Sequence, residues 1–589
     1  MCNIVGGGTN NIEDSSEESK NSSVELNIGV FFDGTLNSKA NIDERKDFEQ
    51  FLAEHPESLA VVELDKLYKE DSIKDAIKKD KSLGYSKSKQ LLKAYDNEKK
   101  SFQEYLKTNP TGIRNAFYGS NDSYTNEYTN VVRFYNCFKN EFEADSNNPE
   151  KIYVPIYIEG IGAKPRKLKT DDDSNNLEQN NKVDFSTPPT SGTEIASYDS
   201  YENGESSLNE FIEDNDGFIS CSDDELGSAL GIGLFGVKKK VEAACEKIND
   251  IIAGYVKKEN TEVSIYLYVF GFSRGAAAAR CFSSFLKIRS GKTKEKKTIN
   301  TRVMGWRTDM DIAEKLKKEN DFKASLMADW LDDLQEEKRI SFSDPKVKFL
   351  GLYDTVSSYG AKFDDDVDEL SLKIDQGNVE NVFQICAGDE YRVNFMLTDI
   401  SSAGGEDKYI IIPGAHSDIG GGYAQGSKER LNCYWNYTRG LKGKKMLYEE
   451  GWFKEGESER TISNLYSVIP FLLMKDKIVG RDEVFRTKKY DDYQLPTSKE
   501  KTIDGIKHVY SKDLCDFYNK LRGGAYEYKI EKTGYLFFKR KTIKLISEEE
   551  ELLKKIRHDF LHLSAKKESF KDGFVNNSDK GNKRTVISG

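Results

Sequence analysis

The stretch Thr261 to Arg280, TEVSIYLYVFGFSRGAAAAR, constrains this chain more than any other. Its first half, Val263 to Phe270, is short and dense in β-branched and aromatic residues, as a strand covered on both faces should be. Its second half carries Ala276 to Ala279, the best helix-forming residue type in a row. Between them stands Gly271-Phe272-Ser273-Arg274-Gly275, a G-x-S-x-G turn. A strand, a sharp turn and a helix in this order project a serine hydroxyl alone from the top of a sheet. Glycines on either side remove Cβ atoms that would clash in so tight a turn. The helix N-terminus favours developing negative charge, and the Arg274 amide can donate to an oxyanion. The plain alternative is a serine that only caps a helix, so the rest of the chain has to decide.

Four further apolar runs read as buried strands: Glu25 to Phe32, Ile152 to Ile158, Val347 to Tyr353 and Tyr409 to Ile412. Helical patterns separate several of them, which predicts an α/β fold with a mostly parallel central sheet flanked by helices. One such helix lies within Gly227 to Ile252, where Val237, Val241, Ala244, Ile248 and Ile252 recur at helical spacing. Three insertions interrupt the pattern: a charged helical one at about 42–106, an acidic Asn- and Ser-rich one at 169–224, and a Lys-rich helical one at 293–343. The expected organisation is a flexible 1–24, a catalytic domain over 25–423, and a mainly helical accessory region over 424–589. In that last region Leu465 to Leu473 and Glu548 to Phe560 carry the helical signal.

A serine nucleophile needs a base. The chain has five histidines: His55, His416, His508, His558 and His562. His416 alone follows a sheet strand, in YIIIPGAHSDIGGGY, on a glycine-rich loop that can reach the strands' C-terminal edge. The acid that orients its imidazole is expected to be Asp354, at the end of VKFLGLY and on the same edge. Asp399 and Asp418 are rivals, with Asp418 expected to brace the Gly420 to Gly422 turn. Ser273, Asp354, His416 is the α/β-hydrolase order. The first strand ends in Asp33-Gly34-Thr35-Leu36-Asn37, a loop that can lend a second oxyanion amide near Gly34. Asp33 and Asn37 can equally tie that turn together. The D-G-T-L run also suggests a haloacid-dehalogenase phosphatase, but the attacking aspartate of that class is replaced by Phe31.

Composition excludes other classes. The formal net charge is −12, and Lys-rich runs are offset by acidic ones, so nucleic acid is not expected as a partner. The eight cysteines are scattered with no C-x-x-C pair, and no His/Cys cluster has ligand spacing; neither metal nor cofactor is expected. The N-terminal stretch lacks a basic region and a long apolar core, so no Sec signal is expected, and no membrane span is predicted. Trp435, Trp452 and Phe453 are the candidates for contact with a lipid surface.

With these segments assembled, the chain resembles the type VI secretion lipase effectors of the first phospholipase family, which share an α/β-hydrolase domain. The matching segments are FFDGTLN, YIEGIG, GFSRGAAAAR, LGLYDTVSSYG, DEYRVNF and PGAHSDIGGGY, in order; RHDFLHLSA matches more weakly. The resemblance implies hydrolysis of glycerophospholipid acyl esters by Ser273, Asp354 and His416; from the residues themselves, Arg274 and Gly34 are expected at the oxyanion and Asp33, Gly271, Gly275 and Asp418 in support. It implies synthesis in the cytoplasm, export by a type VI system and action in the target cell's periplasm. Expected partners are the target bacterium's phospholipid membrane, a spike or tube component or adaptor, and an immunity protein. A soluble esterase or thioesterase, or a non-catalytic binding protein on the same fold, are the alternatives.

Overall fold

The computed structural model describes residues 23–54, 89, 92–93, 123, 125–143, 150–160, 237–255, 262–284, 286, 341–342, 345–357, 367, 370–392, 395–434, 441–478, 480–526, 528–533, 540–545, 551–564 and 584–589. The strands of its main sheet are β1 (Ser23–Phe32), β2 (Glu141–Glu143), β3 (Glu150–Ile158), β4 (Glu262–Phe272), β5 (Ser341–Phe342), β6 (Lys346–Tyr353), β7 (Val382–Ala387) and, after the short β8 (Leu397–Thr398) of another sheet, β9 (Tyr409–Ile412). The order is β2-β3-β1-β4-β6-β7-β9, with β5 beside β4. Every pairing is parallel except β2 with β3. This is an α/β-hydrolase-like sheet. The chain runs from β1 outward to β3, then returns across β1 to β4. The crevice between β1 and β4 is therefore a topological switch point, where such sheets place their sites.

Register aligns the strand ends. Phe32 lies opposite Gly271, Phe272 opposite Tyr353, Tyr353 opposite Ile385, and Ala387 opposite Ile412. Asp33, Ser273 and Asp354 each follow the last residue of their strand, so all three emerge on one edge.

Alternation along the strands sorts the two faces by size. Val24, Leu26, Ile28, Val263, Ile265, Leu267, Val347 and Leu350 join one apolar cluster. They pack with α3 (Val237–Tyr255) and α4 (Arg274–Ser284), whose Ala276 to Ala279 are fully buried. Phe31, Tyr268, Phe270, Phe349 and Tyr353 face the other way. That aromatic face is covered by α2 (Asn130–Cys137) and by residues from the C-terminal region: Phe134 lies 4.5 Å from Phe471 and Phe270 lies 6.0 Å from Phe485, centroid to centroid. The helix expected from residue 227 is described from Val237, and α1 (Lys39–Glu54) accounts for the start of the first insertion. Most of the three insertions, and residues 1–22, lie outside the described residues. The segment expected to be flexible up to residue 24 contributes its last two residues to β1.

The described part of the region after residue 424 carries strands beside the expected helices. It carries helices at Leu441–Glu449, Val468–Lys475, Lys512–Arg522 and Glu551–Phe560. It also forms the hairpins β10 (Ser427–Arg430) with β11 (Glu459–Ile462) and β12 (Glu500–Ile503) with β13 (Ile506–Val509). A further sheet has the order β14 (Tyr528–Thr533), β15 (Arg540–Leu545), β16 (Thr585–Ile587), β8. These strands are short and rich in charge, so their alternation spans too few residues to register. Trp452 and Phe453, offered as lipid-facing, are fully buried and belong to the aromatic core. Trp435 lies outside the described residues. No helix among the described residues is long and apolar enough to cross a membrane.

Candidate active site

Ser273 sits at the turn between β4 and α4 with φ at 60°. A side-chain-bearing residue in that region costs roughly 1–3 kcal/mol, and such strain collects at functional sites. The turn is held by its own backbone: Ser273 N donates to Tyr353 O at 3.0 Å, and Ala276 N donates to Ser273 O at 3.0 Å. The glycines are required by close approach. A Cβ on Gly275 would stand 2.2 Å from Asp33 O and 2.5 Å from Phe32 O; one on Gly271 would stand 2.5 Å from Gly275 O. The elbow thus presses against the end of β1 with no room for a side chain.

Asp354 leaves β6 with φ at 45°, and its amide donates to Ile385 O at 2.8 Å. Its Oδ2 lies 2.6 Å from His416 Nδ1. Its Oδ1 accepts from the Ala387 amide at 2.8 Å and from Arg584 Nη1 at 2.6 Å, and Oδ2 also accepts from Arg584 Nη2 at 2.9 Å. Burial would raise this carboxyl, but the Arg584 charge and the His416 hydrogen bond hold it down, at about 2. It is an anion throughout the neutral range.

His416 opens the short helix α5 (His416–Gly420). Its ring lies 4.6 Å from that of Phe272, the residue before Ser273, and 4.9 Å from Phe395 in an edge contact. Its amide donates to Glu390 Oε2 at 3.2 Å. Burial lowers its pKa against the pull of Asp354, so the imidazole is neutral at pH 7. With Nδ1–H given to Asp354, Nε2 is the free acceptor, the tautomer a base toward serine requires. Ser273, Asp354 and His416 are all buried.

The other expected site residues take different parts. The Gly34 amide, expected to face an oxyanion, instead donates to Asp33 Oδ1 at 2.7 Å. Asp33 is a brace: Oδ1 also accepts from Thr129 Oγ1 at 2.7 Å, and Oδ2 from Tyr157 OH at 2.6 Å. Burial pushes its carboxyl up to about 6. Arg274 Nε donates to Thr35 Oγ1 at 3.0 Å, tying the elbow to the loop after β1. Burial lowers that guanidinium to about 10. The Arg274 amide belongs to the first turn of α4, where helix N–H groups lack intrahelical acceptors.

Asp418 does not brace the glycine turn. Its Oδ2 accepts from the Ala415 and His562 amides, both at 2.9 Å, and its Oδ1 lies 2.7 Å from His562 Nδ1. It is the partner of a second buried histidine, which stacks on Tyr423 at 3.7 Å. Asp399 accepts from the Ser401 amide and pairs with Lys541 at 2.8 Å. His508 lies in β13 with its pKa pushed down to about 4 by burial, and His558 pairs with Glu457 at 2.9 Å. His55 lies outside the described residues. Phe31, in the place of a phosphatase nucleophile, stacks on Phe270 at 5.4 Å within the core.

Fold and site together define an α/β-hydrolase-like protein with a serine elbow and an Asp–His pair at the same sheet edge. The family model of the type VI secretion system phospholipase effector Tle1-like catalytic domain matches residues 115–438, and the chain belongs to that family. Among solved structures, the Tle1 effector bound to the VgrG spike from the type 6 secretion system is similar at 17% identity, TM-score 0.43, over 92% of this chain and 85% of that one. An uncharacterized protein from Pseudomonas aeruginosa is similar at 15% identity, TM-score 0.31, over 86% and 51% of the two chains. No curated protein matches the chain.

Proposed function

We propose that this chain is a serine hydrolase that cleaves acyl esters of glycerophospholipids, used as an antibacterial effector. The observation that carries the reading is the strained Ser273, φ 60°, on the strand neighbouring an Asp354–His416 pair at 2.6 Å. Ser273 Oγ attacks the acyl carbonyl while His416 Nε2 takes its proton. Asp354 holds Nδ1–H and offsets the imidazolium charge. The tetrahedral oxyanion forms at the N-terminus of α4, within reach of the Arg274 amide. His416 then protonates the leaving glycerol oxygen, and a water activated by the same histidine hydrolyses the acyl-enzyme. Free fatty acid and lysophospholipid are the products. The catalytic unit is taken as residues 25–423 and the accessory region as 424–589.

Family membership supports the lipid substrate and the export route. A solved Tle1 effector is bound to a VgrG spike. For this chain a spike, tube component or adaptor is the proposed carrier, the periplasmic face of a rival's membrane the target, and an immunity protein the safeguard in kin. Mixed phospholipid vesicles test the chemistry: wild type should release fatty acid and lysolipid, and Ser273→Ala neither. Release of head group with both acyl chains retained would overturn it. Hydrolysis of short soluble esters alone would select the soluble esterase. Targeted to the periplasm of a test bacterium, wild type should be toxic and Ser273→Ala harmless; equal toxicity would contradict an effector that kills by ester hydrolysis.

A further inference from the structure

Arg584 stands 230 residues from Asp354 in sequence, yet its guanidinium grips both carboxylate oxygens. The approach is set by β16, which pairs parallel to β8, with Val586 opposite Leu397 and Ile587 opposite Thr398. The side chain is fully buried. Nε donates to Phe395 O at 2.7 Å, and Nη1 donates a further bond to Ala387 O at 3.2 Å. Both neighbours already touch the site: Phe395 packs edge-on against His416, and the Ala387 amide binds Asp354 Oδ1.

Charge makes the arginine more than an anchor. A neutral His416 beside an ionised Asp354 is a pair of net charge −1 in a buried site, and such a charge needs a counter-ion. Among the described residues Arg392 also acts on the pair, its charge lowering His416, but its own ion pair is with Glu390 and not with Asp354. Glu390, which accepts the His416 amide, is paired with Arg392 at 2.8 Å. Asp399 is paired with Lys541 at 2.8 Å. The Cys386 thiol is pushed up by burial and stays neutral. Arg584 is the cation bonded to Asp354 itself, and its planar fork matches a carboxylate in geometry as well as in charge.

We propose that Arg584 is a positioning residue of the hydrolase, fixing the Asp354 carboxylate toward His416 and supplying the counter-charge of the buried pair, which adds to burial in opposing uptake of a further proton. This rests on the Ser273, Asp354 and His416 reading above. Without Arg584 the buried pair carries an uncompensated negative charge and takes up a proton more readily. The apparent pKa belongs to the coupled pair, so its direction holds whichever partner receives the proton.

The full-length chain is assayed on a soluble p-nitrophenyl ester across pH, as wild type, Arg584→Met, Arg584→Lys and Ser273→Ala, with thermal melts to fix the folded fraction. Arg584→Met should keep KM within about twofold, lower kcat, and move the acidic limb of kcat/KM up by about one pH unit or more, the usual effect of one close charge. Arg584→Lys keeps the charge and loses the fork; its limb should return most of the way to the wild-type position while kcat stays reduced. A folded Arg584→Met with the wild-type acidic limb would overturn the inference. If that variant fails to fold, Arg584→Lys decides: wild-type kcat there would overturn it. Activity in Ser273→Ala would instead sink the underlying hydrolase reading, while an inactive Ser273→Ala beside normal Arg584 variants would sink this inference alone.

Discussion

Asp354→Asn changes one atom type and keeps the side chain's shape, so its consequences can be worked from four hydrogen bonds. In the wild type, Oδ1 accepts from the Ala387 amide and Arg584 Nη1, and Oδ2 faces Arg584 Nη2 and His416 Nδ1. Asparagine has one acceptor and one NH₂ group. With its oxygen left on Ala387 and Arg584, the NH₂ faces a guanidinium donor and the imidazole. His416 must then accept at Nδ1 and carry its proton on Nε2, where it cannot receive one from Ser273. A wrong-tautomer substitution of this kind costs about 10⁴ in kcat, or roughly 5 kcal/mol at 1.36 kcal/mol per decade. The same change leaves buried Arg584 without its counter-charge, which costs about 3–5 kcal/mol of stability. Initial rates on a p-nitrophenyl ester, corrected for the folded fraction from a thermal melt, separate the two losses. A folded Asp354→Asn protein within tenfold of the wild-type kcat would refute the assignment of Asp354 as the acid.

Two further outcomes follow from the loop beneath the elbow. Asp33 is raised from 3.8 to about 6 by burial, so the folded state binds its proton more tightly than the unfolded chain does. Its stabilising contribution is complete below about pH 4 and is lost as pH rises to about 6, a change of about 3 kcal/mol at 1.36 kcal/mol per unit. Asp33→Asn, which stays neutral, should melt with a flatter pH dependence across that window; parallel wild-type and variant curves would contradict this. Gly275→Ala places a methyl 2.2 Å from a backbone carbonyl oxygen that cannot yield. It should cost about 1–3 kcal/mol and most of the activity, and a variant with wild-type melting and rate would show that the elbow is not packed against β1.

The parts legible in the sequence are those whose signal is local. Ser273 could be read because strand, turn and helix are contiguous. Asp354 and His416 could be read because each follows an apolar run whose end must lie on the sheet edge. β7 carries no continuous apolar signal, because Gln384 interrupts VFQICA. In the fold that amide is buried, accepting from Thr355 Oγ1 at 2.6 Å and donating to Thr398 O at 3.1 Å. The Gly34 amide could not be assigned in advance, because Asp33 satisfies it through a side-chain bond to the next residue. Trp452 and Phe453 read in sequence like a lipid-facing pair, because their burial comes from distant C-terminal elements that cover the aromatic face. Arg584 gave the weakest signal, one of two adjacent cations, Lys583 and Arg584, before the short run Thr585 to Ile587. Its role arises from a parallel pairing between residues nearly two hundred positions apart, and no local pattern encodes such a pairing.

The central claim is that Ser273 is a nucleophile activated by His416. It is tested most directly by treating the purified chain with a fluorophosphonate and locating the adduct by peptide mass spectrometry, in parallel on His416→Ala. The account predicts one adduct, on Ser273, formed in step with loss of esterase activity and slowed by several orders of magnitude when His416 is removed. An adduct on another residue with activity lost, or labelling of Ser273 at the same rate without His416, would contradict it.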